Sequence, residues 1–577
     1  MVIAAVAVTV GLVRLNATAL IGGAFVLAAT LGSIAWSGLT PPQRPVPVDG
    51  EVRLLSDPVD VRGALRVDVR LNNRRVEAWA RGDAAAGLRD RMAGEKVTLK
   101  GRLVAPSTRA RKWLAHRHIS ARLQVSEVAG WRKGGMISQI ANVTRRTLIT
   151  GAKSLDESKR PTFAGFVLGD DRGQSEEVAS DFRAAGLTHL LVVSGQNVAF
   201  VLILIRALVS RLGLRGRWIA TMLLLGFILV VTRAEPSVLR ATAMAAIAAT
   251  AVERGRPVSR IRMLALAVAG VVLIDPLLVH AMGFQLSVGA SLGIVVLAGP
   301  LSERISGPKW FRELIAVTIA AQVGVAPIII PAFDGLPVAS LPANLLAVPA
   351  AGPLMMWGLV AGLAAGTLGA PFADVLHMPT SLLISWVTGV AKWASGLELG
   401  RIEMPQLVSL LVLVVCIWAT HRRFRDSEVP RQAIISLMAA LMVLVVGSQL
   451  LWPQRESIDG IEVTQGANLW RDTKGSVVLV LDRADPLRLL DGLRSRSIGR
   501  VDVIVAKQGR GEVVDAVAVL RSRVQVRAVF APEGHEIRDA IVLPPDSPFI
   551  IGEFEIMTTS SNGESSNGKA VSRVTRR

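Results

Sequence analysis

Polar side chains interrupt a long apolar stretch that begins near residue 189. In lipid, such groups are costly unless they face protein or a water-filled cavity. One interpretation is a Gly-kinked helix whose Ser and Asn bond a neighbouring helix, and the other is the polar lining of a path through a membrane. The interrupting residues are His189, Ser194, Gly195, Gln196 and Asn197.

A charged residue lies inside a second apolar segment, EPSVLRATAMAAIAATAVERGRPVS. Arg240 stands a short distance after Glu235 and Ser237. A guanidinium in such a place must find a carboxylate, a carbonyl, water or a substrate phosphate. The sequence leaves open whether Arg240 pairs with Glu235 or contacts a phosphate.

Two further apolar segments carry polar groups. In LIDPLLVHAMGFQLSVGASLG, Gln285 precedes Ser287 and Ser291, which are four residues apart and so share one helix face. Tight packing through small residues would give the same composition. In VGVAPIIIPAFDGLPVASLPANLLAVPAAGP, six prolines surround Asn344. Proline removes backbone donors, so this density predicts broken helices of the kind that surround substrate sites in carriers.

These segments resemble the ComEC-type competence proteins, a family of inner-membrane DNA-uptake channels. The resemblance rests on FAGFVLGDDRG, GLTHLLVVSGQNVAFV and the three segments above, which occur in the family's order over about 160–355. It implies that His189, the 194–197 motif, Arg240, Gln285, Ser287 and Asn344 lie along a translocation path. Many members have Leu-His after the Ser-Gly pair, whereas this chain has Gln196-Asn197, which removes an ionisable group.

Composition indicates a polytopic membrane protein. The 577 residues are 51% hydrophobic, and Lys plus Arg exceed Asp plus Glu by 65 to 45, a formal charge of +20. The basic excess fits loops beside anionic lipid or a surface for nucleic acid. Cys416 is the single cysteine, which excludes an intrachain disulfide framework and a Cys-based metal site.

Apolar runs predict about eleven membrane segments. An anchor lies within 1–39, and a multi-span competence or channel domain occupies 189–452. The positive-inside rule places Arg14 and four basic loops in the cytoplasm. The chain is therefore predicted to lie in the cytoplasmic membrane, with its N-terminus cytoplasmic and both large polar blocks extracytoplasmic. The runs after the anchor are 189–210, 218–234, 236–252, 263–280, 284–300, 312–332, 340–368, 376–398, 406–420 and 432–452.

The first polar block, 40–130, contains five short β-rich pieces with turn signals, which predict a small β-barrel. The family resemblance implies an OB-like barrel, and such barrels bind single strands through basic grooves and aromatic stacking. The densest cluster, RARKWLAHRH, also fits a solvated loop with a Trp at the membrane interface. The candidate DNA-binding residues are Arg74, Arg75, Trp79, Arg81, Arg109, Arg111, Lys112, Trp113, Arg117 and His118.

An amphipathic connector at 131–188 leads to the membrane region, and the C-terminal block at 453–558 reads as α/β. Larger members of the resembling family carry a metallo-β-lactamase-like domain at this place. Where its His-rich metal loop would lie, this chain has Lys507, Gln508, Gly509 and Arg510; Asp482 and His535 stand apart. We predict a truncated, degenerate domain without metal, cofactor or catalytic residues, followed by a disordered tail at 559–577.

The resemblance implies that a single DNA strand crosses the cytoplasmic membrane during natural transformation. The sequence has no P-loop, so the expected partners are an extracytoplasmic DNA receptor, a cytoplasmic motor ATPase and a separate nuclease, besides DNA and the lipid bilayer. The alternatives are a small-molecule or lipid-linked transporter, or a vestigial family member without DNA transport. A membrane-anchored metallohydrolase is a third.

Overall fold

A computed structural model describes most of the chain. The described residues are 17–61, 63–170, 172–192, 195–256, 258–333, 335–397, 399–409, 458–472, 475–496, 498–542, 548–560 and 570–576. They divide into two compact units. The first comprises residues up to 175, 188–328 and 345–387, and the second comprises 176–187, 329–344 and 388–577.

The long helices follow the apolar runs, and shorter helices lie in the polar parts of the chain. Their bounds are α1 Ala17–Ser37, α2 Gly82–Arg89, α3 Thr108–Leu114, α4 Met136–Gly151, α5 Arg160–Leu168, α6 Glu176–Ala184, α7 Gly195–Val209, α8 Leu214–Val231, α9 Pro236–Glu253, α10 Arg260–Ile274, α11 Met282–Arg304, α12 Lys309–Phe333, α13 Ser340–Leu368, α14 Phe372–Ser395, α15 Pro486–Ser495 and α16 Glu512–Arg523.

Alternating or continuous apolar runs form most of the strands. Their bounds are β1 Val46–Leu54, β2 Val59–Val61, β3 Ala64–Leu71, β4 Arg74–Ala80, β5 Lys96–Val104, β6 Ile119–Arg132, β7 Leu336–Pro337, β8 Arg401–Ile402, β9 Ile458–Thr464, β10 Ala467–Arg471, β11 Val477–Leu481, β12 Arg500–Ala506, β13 Gln525–Ala531, β14 Ile541–Val542, β15 Phe549–Ile551, β16 Phe554–Ser560 and β17 Ala570–Arg576.

The N-terminal strands close into a small barrel in the first unit. The five barrel strands have the order β1-β5-β6-β4-β3, and β3 pairs back to β1, so the sheet closes; the short β2 pairs with β3 as a sixth strand. β4 and β6 run parallel, the other neighbours run antiparallel, and α2 lies between β4 and β5 in the chain. Asn72 and Asn73 adopt positive φ and make the two-residue turn from β3 to β4. Alternate apolar residues of all five strands fill the barrel interior.

Four of the described helices are long and apolar enough to cross a membrane, namely α8, α11, α12 and α13. They support a multi-spanning membrane protein. The eleven predicted segments therefore stay a prediction beyond these four. Arg14, Cys416 and the predicted spans at 406–420 and 432–452 fall wholly or largely outside the described residues.

Glycines bring the membrane helices of the first unit into backbone contact. A Cβ on Gly293 of α11 would lie 2.1 Å from the Ala320 carbonyl oxygen of α12, and Gly289 faces Gly324 in the same way. Between helices in lipid, where hydrophobic exclusion contributes little, such close approach supplies the packing energy.

The proline-rich segment does not break into several half-helices. α12 ends at Phe333 and α13 begins at Ser340, so one interruption lies between them, and α13 then continues through Pro349 and Pro353. Pro342 falls in the first turn of α13, where a missing N–H removes no intrahelical bond. The structure therefore has one break of the predicted kind, between α12 and α13, and the prolines inside α13 do not end that helix.

The C-terminal part of the second unit is a layered α/β structure. Its sheet has the order β14-β13-β12-β11-β10-β9, with β11 to β14 parallel. Val477, Leu479 and Leu481 of β11 face a core shared with α15 and α16, whereas Val478 and Val480 face Phe554 and Ile556 of the smaller β15–β17 sheet. Burial on both faces explains why β11 is uniformly apolar.

The predicted disordered tail differs from the structure at its end. Residues 570–576 form β17, which pairs antiparallel with β16 in the register Ala570 to Ser560 and Arg576 to Phe554. Val574 packs beside the apolar cluster around Phe554. A polar, low-complexity composition conceals this strand because its pairing comes from β16 and not from its own hydrophobicity.

Candidate functional site

Three of the predicted polar segments meet at Arg240 in the first unit. Arg240 of α9 is 8% exposed, and its Nε donates to the Ser287 hydroxyl of α11 at 2.8 Å. Its Nη1 lies 3.1 Å from the Met244 sulfur, one turn along α9. A Cβ on Gly195, at the start of α7, would come within 3.0 Å of Arg240 Nη2, so glycine leaves room for the guanidinium. The structure thus gathers Gly195, Arg240 and Ser287 around one buried positive charge.

The remaining residues of the 189–197 motif take up different positions. Asn197 is buried, and its Nδ2 donates to the Phe166 carbonyl at 3.0 Å, which ties α7 to α5. Gln196 is exposed at the first turn of α7, and His189 is exposed in a short 3-10 turn before it. Ser194 lies outside the described residues.

Gln285 and Asn344 make local contacts. The Gln285 amide donates to the Val279 carbonyl at 2.7 Å, just before α11. Asn344 is buried in α13 and donates to the Ser340 carbonyl one turn earlier at 2.7 Å. Asn344 belongs to the second unit, whereas the other described residues of the predicted path belong to the first.

An ionic cluster, which the sequence did not predict, lies at the junction of the barrel with the helices. Arg145 of α4 is 3% exposed, forms an ion pair with Asp57 at 3.1 Å and donates to Asp170 at 3.0 Å. Arg233 reaches Asp57 at 2.8 Å, and Arg172 donates to Asp170 at 2.7 Å. We call Asp57, Arg145, Asp170, Arg172 and Arg233 the junction cluster.

The junction cluster joins separate parts of the first unit. Asp57 comes from the barrel, Arg145 from the connector helix, and Arg233 from the turn that leads into α9, the helix of Arg240. Arg233 and the next residue, Ala234, both have positive φ, an unusual conformation for residues with a Cβ. Burial opposes ionisation of Asp57, but Arg145, Arg233 and Arg172 together hold its pKa below the ordinary value.

Only some residues of the junction cluster lie in or near sequence motifs that could have pointed to them. Asp170 and Arg172 stand in the FAGFVLGDDRG segment that carried the family resemblance, and Arg233 lies two residues before the EPSVLR segment. Asp57 and Arg145 carry no local pattern, since their partners are distant in the chain.

The barrel brings some of the candidate DNA-binding residues together at one end. β4 and β6 start side by side, with Arg75 opposite Ile119, so Arg74, Arg75 and the segment that precedes β6 lie near the same end. Arg81 follows β4 and so lies at the opposite end, about 20 Å away for a strand of this length. Arg74, Arg75, Arg81 and Arg111 are exposed.

The aromatic and remaining basic candidates have distinct surroundings. Trp113 is 65% exposed at the end of α3. Trp79 is half-buried and donates its Nε1 proton to Glu77 at 2.8 Å. Arg117 is engaged by Asp68 and, at 3.1 Å, by Glu77. Of Arg109 and Lys112 only the backbone, within α3, is described.

The same end of the barrel contacts the membrane helices. His118 Nε2 lies 2.8 Å from Asp275 Oδ1, at the end of α10. The short 3-10 turn before β6 packs against the 3-10 turn Pro276–His280, whose His280 also stacks edge-on with Trp36 of α1. Basic and aromatic residues here therefore lie close to the helical region, as the interfacial interpretation of RARKWLAHRH also expects.

In the C-terminal sheet, the residues at the position of the family's metal loop contact neighbouring loops. Gln508, after β12, donates its amide to Asp482, after β11, at 3.0 Å. A Cβ on Gly509 would approach His535 to 2.3 Å, so glycine allows the two loops to meet. Among the described residues, no group of three or more His, Cys, Asp or Glu side chains is placed to hold a metal ion.

Comparison with known proteins gives one family and one curated relative. Residues 166–424 match the family model described as "Competence protein". The chain is 29% identical over 256 residues to ComE operon protein 3 of Bacillus subtilis (strain 168). That alignment covers 43% of this chain and 32% of the relative, so the chain matches about a third of the relative's length. No solved structure matches. The resemblance noted from the 160–355 segments is thus confirmed over residues 166–424, which match the model of the competence protein family.

Proposed function

We propose that this protein is the membrane channel that takes a single DNA strand into the cytoplasm during natural transformation. The observation that carries the proposal is the buried Arg240, which lies where α7, α9 and α11 meet inside the competence family segment. A guanidinium provides planar, bidentate donors for phosphate, and burial in an apolar helix bundle is costly unless the charge is used. The path residues are His189, the 194–197 motif, Arg240, Gln285, Ser287 and Asn344.

The N-terminal barrel supports a role in holding the strand outside the membrane. Its strand order, the parallel β4–β6 pair and the helix between β4 and β5 agree with an OB-type barrel, whose members commonly bind oligonucleotides. We infer that Arg74, Arg75, Arg111 and the exposed Trp113 form the strand-binding end. Arg117 would act through Asp68 and Glu77, which already engage it.

We further propose that the C-terminal domain is a shortened relative of the metallo-β-lactamase fold and that the protein is not itself a nuclease. The alternation of parallel strands with α15 and α16, and the Asp482–Gln508 hydrogen bond in place of a metal loop, support this view. A separate nuclease, a DNA receptor and a cytoplasmic motor ATPase would complete the system. The protein would lie in the cytoplasmic membrane with both polar domains outside.

The function is tested by uptake of labelled DNA into the cytoplasm of transformable cells. Arg240→Gln keeps a polar side chain but removes the charge, and we expect uptake to fall by about ten-fold or more, a loss of about 1.4 kcal/mol. Arg254→Gln is the matched control, because Arg254 follows the same helix and is exposed. Equal uptake by Arg240→Gln and Arg254→Gln, at equal protein levels in the membrane, contradicts the proposal.

A further inference from the structure

Three arginines line a cleft in the second unit. The cleft has a volume of about 90 Å³. A buried water needs only about 10–15 Å³ by the same measure, so the cleft has room for several waters or for one compact polyatomic anion. Its described lining contains three guanidinium groups, from Arg401, Arg494 and Arg523, and no carboxylate.

Side chains of α6 bind two of these arginines, Arg494 and Arg523. Asp181 is buried and accepts from Arg523 Nη1 at 3.0 Å and from Arg494 Nη2 at 3.3 Å. Glu177 also pairs with Arg523, and the Ser180 hydroxyl accepts from Arg494 Nη1 at 3.1 Å. These contacts fix both guanidinium planes, so their positions in the cleft do not depend on a ligand.

Fixed, desolvated guanidinium groups favour an anion. The Arg523 side chain is 9% exposed, and burial lowers the pKa of its guanidinium. Each guanidinium has five N–H donors in a rigid fork, more than the contacts with α6 use. Arg401 adds a third positive group from β8, in a cleft where glycines such as Gly396 and Gly499 leave the walls free of bulky side chains.

We propose that this cleft binds a phosphate group, with Arg401, Arg494 and Arg523 as its donors. Tetrahedral phosphate matches arginine forks from several directions, which one spherical halide does not. The phosphate could belong to free inorganic phosphate, to a nucleic-acid backbone or to a lipid headgroup. The proposal goes beyond DNA uptake, since it assigns a ligand to a cleft in the second unit.

The test uses the full chain in detergent micelles and inorganic phosphate as the probe. Isothermal titration calorimetry at constant ionic strength should show saturable binding to the wild type. Arg401→Gln, which leaves the contacts with α6 intact, should weaken that binding by about ten-fold or more. Arg510→Gln is the control, because Arg510 is 77% exposed in the same unit and lies outside the cleft. Its affinity should equal that of the wild type.

Competition identifies the source of the phosphate. A short oligodeoxythymidylate, or vesicles that contain phosphatidylglycerol, should displace inorganic phosphate from the wild type if the strand or the lipid is the natural ligand. If neither competes, free phosphate is the ligand. Absence of saturable phosphate binding, or equal affinities for wild type and Arg401→Gln with unchanged thermal unfolding, overturns the proposal. Arg401→Lys, which keeps the charge but not the fork, should lose part of the affinity and guards against a folding defect in the glutamine variant.

Discussion

Replacement of Asp57 by Asn should destabilise the first unit more than replacement of any exposed carboxylate of the barrel. Asp57 is 9% exposed and faces Arg233 at 2.8 Å and Arg145 at 3.1 Å. In the variant, Asp170 is the only carboxylate of the junction cluster that remains to pair with its three arginines. Removal of one partner from a buried ion pair typically costs about 3–5 kcal/mol, because the other charge stays buried.

The effect has a defined pH dependence. The folded-state pKa of Asp57 is lowered, so its contribution is fully present above the unfolded value of about 3.9 and disappears as pH falls through the folded value. The stability difference between wild type and Asp57→Asn should therefore stay constant near neutral pH. It should shrink only below about pH 4.

Unfolding of the full chain in detergent, followed by hydrogen exchange of barrel and α9 amides, measures the loss. Asp60→Asn is the matched control: Asp60 belongs to the same barrel, its side chain is 53% exposed, and it lies 3.8 Å from Arg89. An exposed pair contributes about 0–1 kcal/mol. If Asp57→Asn costs less than about 1 kcal/mol, or no more than Asp60→Asn, the junction cluster does not hold the barrel to the helices as argued.

Three further predictions concern packing and binding. Gly293→Ala should separate α11 from α12, since the new Cβ would lie 2.1 Å from the Ala320 carbonyl oxygen, and should lower the unfolding temperature in detergent. Gly299→Ala on the same helix meets nothing within 4 Å, so an equal effect of both changes would refute this packing argument. Thr380→Val should leave stability unchanged or raise it by about 1 kcal/mol, because the fully buried Thr380 hydroxyl has no hydrogen-bond partner among the described residues; a clear loss of stability would reveal a partner. Trp113→Ala in the full chain should weaken binding of single-stranded DNA by about 1–3 kcal/mol in a fluorescence titration, as expected for one stacked base. Unchanged affinity would favour a membrane-interface role for this exposed Trp.

Local sequence patterns were sufficient to predict many of the helices and strands, but not the contacts between them. The alternation in β3, ALRVDVRL, and the Asn72-Asn73 turn are local signals, and the predicted strands of the barrel lie close to the observed ones. The span predicted at 340–368 coincides with α13. These agreements arise because hydrophobic period and turn chemistry act over a few residues.

The candidate site shows the opposite case. Arg240 was conspicuous as a charge in an apolar run, but its contact with Ser287 spans 47 positions and has no sequence signature. Asp57 meets Arg233 across 176 positions, and nothing near either residue indicates the other. Buried ion pairs of this kind are fixed by tertiary packing, so a single sequence shows the charges and hides their pairing.

The ion pairs of α6 with Arg494 and Arg523 can form only late in the synthesis of the chain. Asp181 can pair with Arg494 and Arg523 only after these have been synthesised, and they follow it by 313 and 342 residues. At a synthesis rate of 5–20 residues per second, the second of these partners is made about 17 to 68 s after Asp181. During that interval the carboxylates of α6 lack at least one arginine partner, while the rest of the matched segment 166–424, which contains α6, is synthesised. A chain that ends before Arg494 therefore lacks both arginine partners of the buried Asp181.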